Sequence, residues 1–207
     1  MLEEIKALVV GGKAKLVAGK VQEALDKGED PKAILDVMVE AMEVVGEMFT
    51  AGEAFVPEML VSAKAMKKGV AVLKPHLAGG EIGALGKVVI GTVQGDLHDI
   101  GKNLVAMMIE SAGFEVIDLG VDVAPEAFVE AVRSNEGVKI VGLSTLLTTT
   151  MPAMEASVAM LNGQDFRKDI RIMVGGAPIT KEFAERIGAD AFTEDAATAA
   201  QTAKAFA

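Results

Sequence analysis

Apolar positions change their spacing near residue 86. Before it they recur at steps of three and four, the pattern of helices that bury one face. Ile34, Val37, Met38, Ala41, Met42, Val45, Met48 and Phe49 share one such face. Asp30 stands as N-cap before it. Pro31 takes the first helical position, where a missing N–H costs nothing. Val17, Val21, Ala24 and Leu25 predict a shorter helix upstream, stopped by Gly28. Met59, Leu60, Ala63, Met66, Val70 and Leu73 predict one downstream, started by Pro57 and closed near Pro75. A stub over residues 2–10 ends at Gly11-Gly12. Four helices on short turns read as a small antiparallel bundle.

After residue 86 short Val/Ile runs alternate with helical patterns. Strands are expected at Lys87–Thr92, Glu115–Asp118, Ile140–Leu143, Arg171–Val174 and Ala191–Phe192. Helices are expected over roughly 101–112, 125–135, 152–162, 180–187 and 195–206. Nearly continuous apolar strands separated by helices mean a parallel sheet covered on both faces. The expected fold is therefore α/β, with a four-helix bundle over residues 1–86 followed by a Rossmann/flavodoxin-like domain with a five-stranded parallel sheet over 87–207. Gly79-Gly80-Glu81 through Gly86 reads as the linker. A bundle of about 80 residues is marginal alone, so docking on the rest is expected.

Composition narrows the chemistry. With 51% apolar and 24% charged residues among 207, the chain is ordinary globular protein. It lacks an apolar run of about 18 residues, so no membrane span is expected. Met1 leads into Leu-Glu-Glu-Ile rather than a basic, apolar leader, which reads as cytoplasmic. Zero Cys excludes disulfides, thiolate metal sites and a thiol nucleophile. The net charge is −10, with −3 over residues 1–86 and −7 over 87–207, and there is no Trp or Tyr. A nucleic-acid partner is not expected from such a surface.

The candidate chemistry lies where strands end. In open parallel sheets, ligands bind at the carboxyl ends of strands, where strand order reverses. Gln94-Gly95-Asp96-Leu97-His98-Asp99-Ile100-Gly101 follows the first strand, and Ser144-Thr145-Leu146-Leu147-Thr148-Thr149-Thr150 the third. Gly175-Gly176-Ala177-Pro178 follows the fourth, and Thr193-Glu194-Asp195-Ala196-Ala197 the fifth. A strand order of 2-1-3-4-5 would turn Asp96, His98 and Ser144 toward one crevice. His98 is one of two histidines. An imidazole that binds metal through one nitrogen usually donates its other N–H to a carboxylate, and Asp96 is spaced for that role. His76 has no such neighbour and reads as a surface residue at a helix end.

The three loops together are more specific than any one. Asp96-x-His98-x-x-Gly101 is followed after 42 residues by Ser144-x-Leu146, and after 28 more by Gly175-Gly176. This spacing resembles the fingerprint of cobalamin-binding domains in corrinoid-dependent methyltransferases. Residues Gly46 through Leu60 (GEMFTAGEAFVPEML) resemble the helical cap of methionine synthase and of free-standing corrinoid proteins. The resemblance implies a methyl-carrier protein whose cofactor is cobalamin, cycling between methylcobalamin and the Co(I) corrinoid. His98 would be the lower axial ligand of cobalt in place of the cofactor's benzimidazole. Asp96 would bond His98, and Thr150 occupies the place of a relay serine. Gly95, Asp96, Leu97, His98, Asp99, Ile100 and Gly101 would form the binding loop. Ser144, Leu146, Thr148, Gly175, Gly176 and the loop around Ala196 would line the slot for the displaced nucleotide tail. Phe49 and Val56 match the positions that shield the methyl group, and Lys102-Asn103 sits where it would meet the tail.

The same resemblance implies partners. These are a substrate-specific methyltransferase (O-demethylase, methylamine, betaine or methanol type), an acceptor methyltransferase serving tetrahydrofolate or a thiol coenzyme, and a corrinoid-reactivating reductase. A methyl-donor barrel needs about 250 residues and does not fit in this chain. The chief alternative is a cobalamin-dependent sensor, but no DNA-binding segment or basic face is visible. A mutase subunit conflicts with the cap, and a flavodoxin-like binder of another nucleotide leaves the loop spacing unexplained.

Overall fold

The computed structural model describes residues 1–77 and 85–207. The linker expected at 79–86 falls mostly outside them. The chain divides into two compact units.

The first unit is built of α1 (Leu2–Val10), α2 (Ala14–Asp26), α3 (Pro31–Thr50) and α4 (Val56–Leu73). α2 packs on α4, and α1 on α3. Asp30 caps α3 by accepting the N–H of Lys32. α4 starts where the Phe55 N–H donates to the Glu58 carboxylate at 3.0 Å, with Pro57 in its first turn. Ile5, Val9, Val17, Val21, Ile34, Met38 and Leu73 fill the interior. Gly69 lets α4 approach its neighbours. A Cβ there would lie 2.3 Å from Met38 Cε and 2.9 Å from Val17 Cγ1. Met38, Met42, Met59 and Met66 are buried, so methionine serves here as core filler. His76 is exposed just after α4.

The second unit alternates strand and helix. Its elements are β1 (Lys87–Thr92), α5 (Ile100–Ser111), β2 (Glu115–Asp118), α6 (Pro125–Ser134), β3 (Val138–Ser144), α7 (Met151–Asn162), β4 (Arg171–Gly175), α8 (Lys181–Ile187), β5 (Ala191–Phe192) and α9 (Ala196–Phe206). Short 3-10 turns at Thr148–Thr150 and Asp165–Asp169 were not expected from the pattern. The strands are all parallel, in the order β2-β1-β3-β4-β5. The chain therefore leaves β1 toward one edge and later returns to its other side at β3. Thr92 pairs with Ser144 and Ser144 with Gly175, so three loops leave the sheet side by side. β1 and β3 are near-continuously apolar because helices cover both faces.

Phe128 on α6 is fully buried against this sheet, with Val89, Val123, Val141 and Ile172 in the same core. Its ring fills the space beside Gly91 of β1. Phe128→Ala should destabilise the second unit by about 3–5 kcal/mol. The check is the urea midpoint of the full-length protein, read by a probe in that unit.

Candidate functional site

The loop after β1 folds around one carboxylate. Asp96 is completely buried, and both its oxygens are engaged. Oδ1 accepts the His98 backbone N–H at 3.0 Å and lies 2.6 Å from His98 Nδ1. Oδ2 accepts the Leu146 backbone N–H at 2.6 Å and the Thr145 hydroxyl at 2.9 Å. Thr150 Oγ1 is further away, 3.4 Å from Oδ2, and 2.5 Å from Thr145 Oγ1. Burial pushes the Asp96 carboxyl up. The N–H groups of Leu146 and His98, the His98 ring and the Thr145 hydroxyl outweigh burial and hold it well below the ordinary carboxylate range.

The His98 segment is held from behind. Its carbonyl accepts the buried Thr92 hydroxyl at 2.8 Å. The Gly95 N–H donates to Asp122 at 2.7 Å, and the Asp122 N–H returns to the Asp96 carbonyl at 3.0 Å. The imidazole itself is 53% exposed. With Nδ1 committed to Asp96, Nε2 is the ring nitrogen left for a metal. The loop that carries it and the loop after β3 expose large apolar side chains: Leu97 is 73% and Ile100 78% exposed, and Leu146 and Leu147 are exposed too. Apolar side chains left in water at the end of a sheet mark a surface meant for a ligand.

Sequence reasoning brought Asp96 and His98 together, and the structure does likewise. Asp99, Ile100 and Gly101 lie exposed on the same loop and at the start of α5. Ser144 ends β3 opposite Thr92, but the hydroxyl on Asp96 belongs to its neighbour Thr145. Nothing in the sequence singles out Thr145, because one more threonine in a Ser-Thr run looks like any other. Thr148 is exposed and Thr150 buried in the 3-10 turn. Ala196 is buried beneath the cap of α9, where Asp195 accepts the Thr198 N–H.

Two positions have environments that spacing does not show. The Lys102 ammonium is buried and bonds Asp118 at the end of β2 and Asn103 on α5. It is a structural pair within the fold rather than a cation offered to a ligand. Gly176 has φ +130°, and a Cβ there would sit 1.8 Å from the Thr145 carbonyl oxygen. This glycine is required by close packing of two backbones.

In the first unit, Phe49 is half-buried in the last turn of α3, and Val56 is exposed at the start of α4. The turn between them puts both at one end of the bundle. Phe55 and Leu60 are exposed there as well, Phe55 at 65%. The sequence reading passed over Phe55 because helical periodicity does not report exposure in a turn.

Comparison with known proteins decides the family. Residues 86–203 match one B12 binding domain family, and residues 1–74 match a second, also described as a B12 binding domain. A corrinoid protein of Desulfitobacterium hafniense (strain Y51) is 40% identical over 207 residues, covering 98% of this chain and 95% of its own. Dimethylamine corrinoid protein 1 of Methanosarcina acetivorans is 40% identical, covering 99% of this chain and 96% of its own. The chain belongs to the corrinoid proteins of methyltransferase systems.

Solved structures agree. A cobalamin-binding protein from Desulfitobacterium hafniense DCB-2 superposes with a TM-score of 0.84 at 30% identity, covering 100% of this chain and 98% of its own. The methanol:cobalamin methyltransferase complex MtaBC of Methanosarcina barkeri contains a chain with a TM-score of 0.84 at 31% identity, covering 97% of this chain and 77% of its own. The cofactor of this corrinoid protein is cobalamin.

The residues present fit that group. Among the described residues no cluster of three or more His, Cys, Asp or Glu is placed to hold a bare metal ion. A single imidazole suits a metal whose other positions are filled by a macrocycle, as axial ligation does. The exposed leucines and Ile100 suit the macrocycle's apolar surface. No described helix is long and apolar enough to cross a membrane.

Asp96→Asn tests the energetics of this corner in the cofactor-free protein. The substitution should cost about 1.5–3 kcal/mol at neutral pH, since hydrogen bonds to a charged acceptor are lost. Because folding lowers the Asp96 pKa, its contribution is complete above the ordinary aspartate value of 3.8 and is lost as pH falls below it. The stability gap between wild type and Asp96→Asn should therefore narrow in acid, as urea unfolding on both sides of about pH 4 would reveal.

Proposed function

We propose that this corrinoid protein binds cobalamin with its benzimidazole displaced and His98 as the lower axial ligand, and that it carries methyl groups between two partner methyltransferases. The observation that carries the reading is the 2.6 Å contact of Asp96 with His98 Nδ1, on a half-exposed ring at the switch point of the sheet. That contact fixes the tautomer with its proton on Nδ1 and its lone pair on Nε2.

When bound, cobalamin supplies a cobalt centre able to accept and release a methyl group. The chain's residues do the rest. His98 holds the metal from below. Asp96 anchors the Nδ1 proton and keeps the ring from rotating. Leu97, Ile100 and Leu146 cover apolar surface and keep water from it. Gly95, Asp99 and Gly101 complete the loop. Ser144, Thr148, Gly175, Gly176 and the Ala196 loop line the path of the nucleotide tail.

The division at 1–86 and 87–207 is proposed to be functional as well. The first part serves as a cap, with Phe49 and Val56 shielding the reactive face and the exposed Phe55 and Leu60 extending that apolar surface. The second part holds the cofactor. Reaction with a partner then requires the cap to move aside. The substrate-side partner is proposed to be a methylamine- or methanol-type methyltransferase, in keeping with the dimethylamine and trimethylamine corrinoid relatives and the MtaBC complex. An acceptor methyltransferase and a reactivating reductase complete the set, in the cytoplasm.

The test is reconstitution with hydroxocobalamin. Wild type should give the absorption and electron-spin-resonance signature of base-off cobalamin with a protein nitrogen on cobalt. His98→Ala should lose that nitrogen signature and bind more weakly by at least the roughly tenfold to hundredfold that losing a ligand's orienting partner costs. Wild-type protein that keeps the benzimidazole coordinated would refute the ligand assignment.

A further inference from the structure

We propose that Thr145, rather than Thr150, is the hydroxyl that positions Asp96, and that Thr150 acts on Asp96 only through Thr145. Its importance for cobalt binding rests on the histidine-ligand reading above. The hydrogen-bond assignment itself does not.

Distances and proton counts both support the assignment. Thr145 Oγ1 lies 2.9 Å from Asp96 Oδ2, whereas Thr150 Oγ1 lies 3.4 Å away, at the edge of hydrogen-bond range. The two hydroxyl oxygens are 2.5 Å apart, so a proton must lie between them. Each hydroxyl has one proton to give. The Thr145 proton goes to the carboxylate, its strongest acceptor. The Thr150 proton then fills the contact between the hydroxyls, and the Leu147 carbonyl, 3.0 Å away, is its alternative acceptor. The chain therefore runs from Thr150 to Thr145 to Asp96 to His98.

The backbone pins Thr145 where it can do this. Its N–H donates to the Gly175 carbonyl at 3.2 Å. Gly176 packs so closely on its peptide that any side chain at 176 would overlap the Thr145 carbonyl oxygen. The side chain is 1% exposed, so water does not substitute for the hydroxyl. Thr145 and Leu146, adjacent in sequence, thus bring a side-chain donor and a backbone donor to the same carboxylate oxygen.

Removing the Thr145 hydroxyl should leave Oδ2 with the Leu146 N–H and only the distant Thr150 hydroxyl, 3.4 Å away, and loosen the rotamer that presents Oδ1 to His98. The experiment compares Thr145→Val, Thr145→Ser, Thr150→Val and the Thr145→Val/Thr150→Val double variant in the full-length protein. One readout is the NMR resonance of the His98 Nδ1 proton without cofactor. The other is the dissociation constant for hydroxocobalamin.

Thr145→Val should move the Nδ1 proton resonance and weaken cobalamin binding about tenfold, the low end for groups that orient a metal ligand, since Thr145 stands two hydrogen bonds from His98. Thr145→Ser should restore both. Thr150→Val should do less, and the double variant should match Thr145→Val alone. If Thr150→Val equals Thr145→Val, if the two effects add, or if serine fails to rescue, the assignment is overturned. Should valine at 145 prevent folding, Thr145→Ala takes its place in the same comparison. A Nδ1 response without loss of cobalamin affinity would uphold the hydrogen-bond assignment and count against the histidine-ligand reading, so the two fail separately.

Discussion

The buried carboxylate of Asp96 is the constraint around which the end of the sheet is organised. Taking an ionised carboxylate out of water is expensive unless donors surround it. Here the donors come from two separate segments: the His98 backbone and ring on one side, and Thr145 and Leu146 on the other. A third segment joins through the backbone, since the Asp122 N–H bonds the Asp96 carbonyl. Loops that would otherwise be independent are therefore tied at one point. The parallel pairing of Thr92 with Ser144 places them close enough for that.

Much of the architecture was legible because it rests on periodicity. The switch from three-four spacing to short apolar runs reports which faces each element buries. β1, β2 and β5 match their expected bounds, while β3 and β4 extend further at their ends. The extensions at the carboxyl ends follow from pairing, because Ser144 and Gly175 join the ladder through their neighbours rather than through any apolar side chain of their own, and β3 also starts earlier where Val138 pairs with Lys87. The 3-10 turn at Thr148–Thr150 was hidden for a similar reason. Three threonines have no preference for it, and the loop takes that shape while Thr150 reaches the Leu147 carbonyl.

The site was legible only in part. An aspartate two residues before a histidine is visible in one dimension, and the contact exists. Which hydroxyl meets that aspartate depends on how the loop after β3 is held against β4, which spacing does not encode. Lys102 makes the same point. It stands beside the motif loop in sequence, yet its ammonium turns inward to Asp118, because β2 ends beside the first turn of α5. Gly175-Gly176 read as a place where bulk would obstruct a ligand. For Gly176 the obstruction a Cβ would meet is the chain's own Thr145 peptide.

The arrangement also holds the His98 imidazole in one orientation. Oδ1 takes two donors from His98, and Oδ2 takes one from Leu146 and one from Thr145. A carboxylate so occupied has little freedom to turn, so the Nδ1 proton has a fixed place to point. The lone pair on Nε2 is then fixed as well, even though the ring is half in solvent. Rigidity comes from below and access is left above. On the same two loops Leu97, Ile100, Leu146 and Leu147 remain in water, where each leaves apolar area uncovered at a cost of roughly 25 cal/mol per Å². The covering of that area is free energy held in reserve for a large apolar ligand. Under the ligation proposed above, cobalt would meet an imidazole whose tautomer is already set by Asp96.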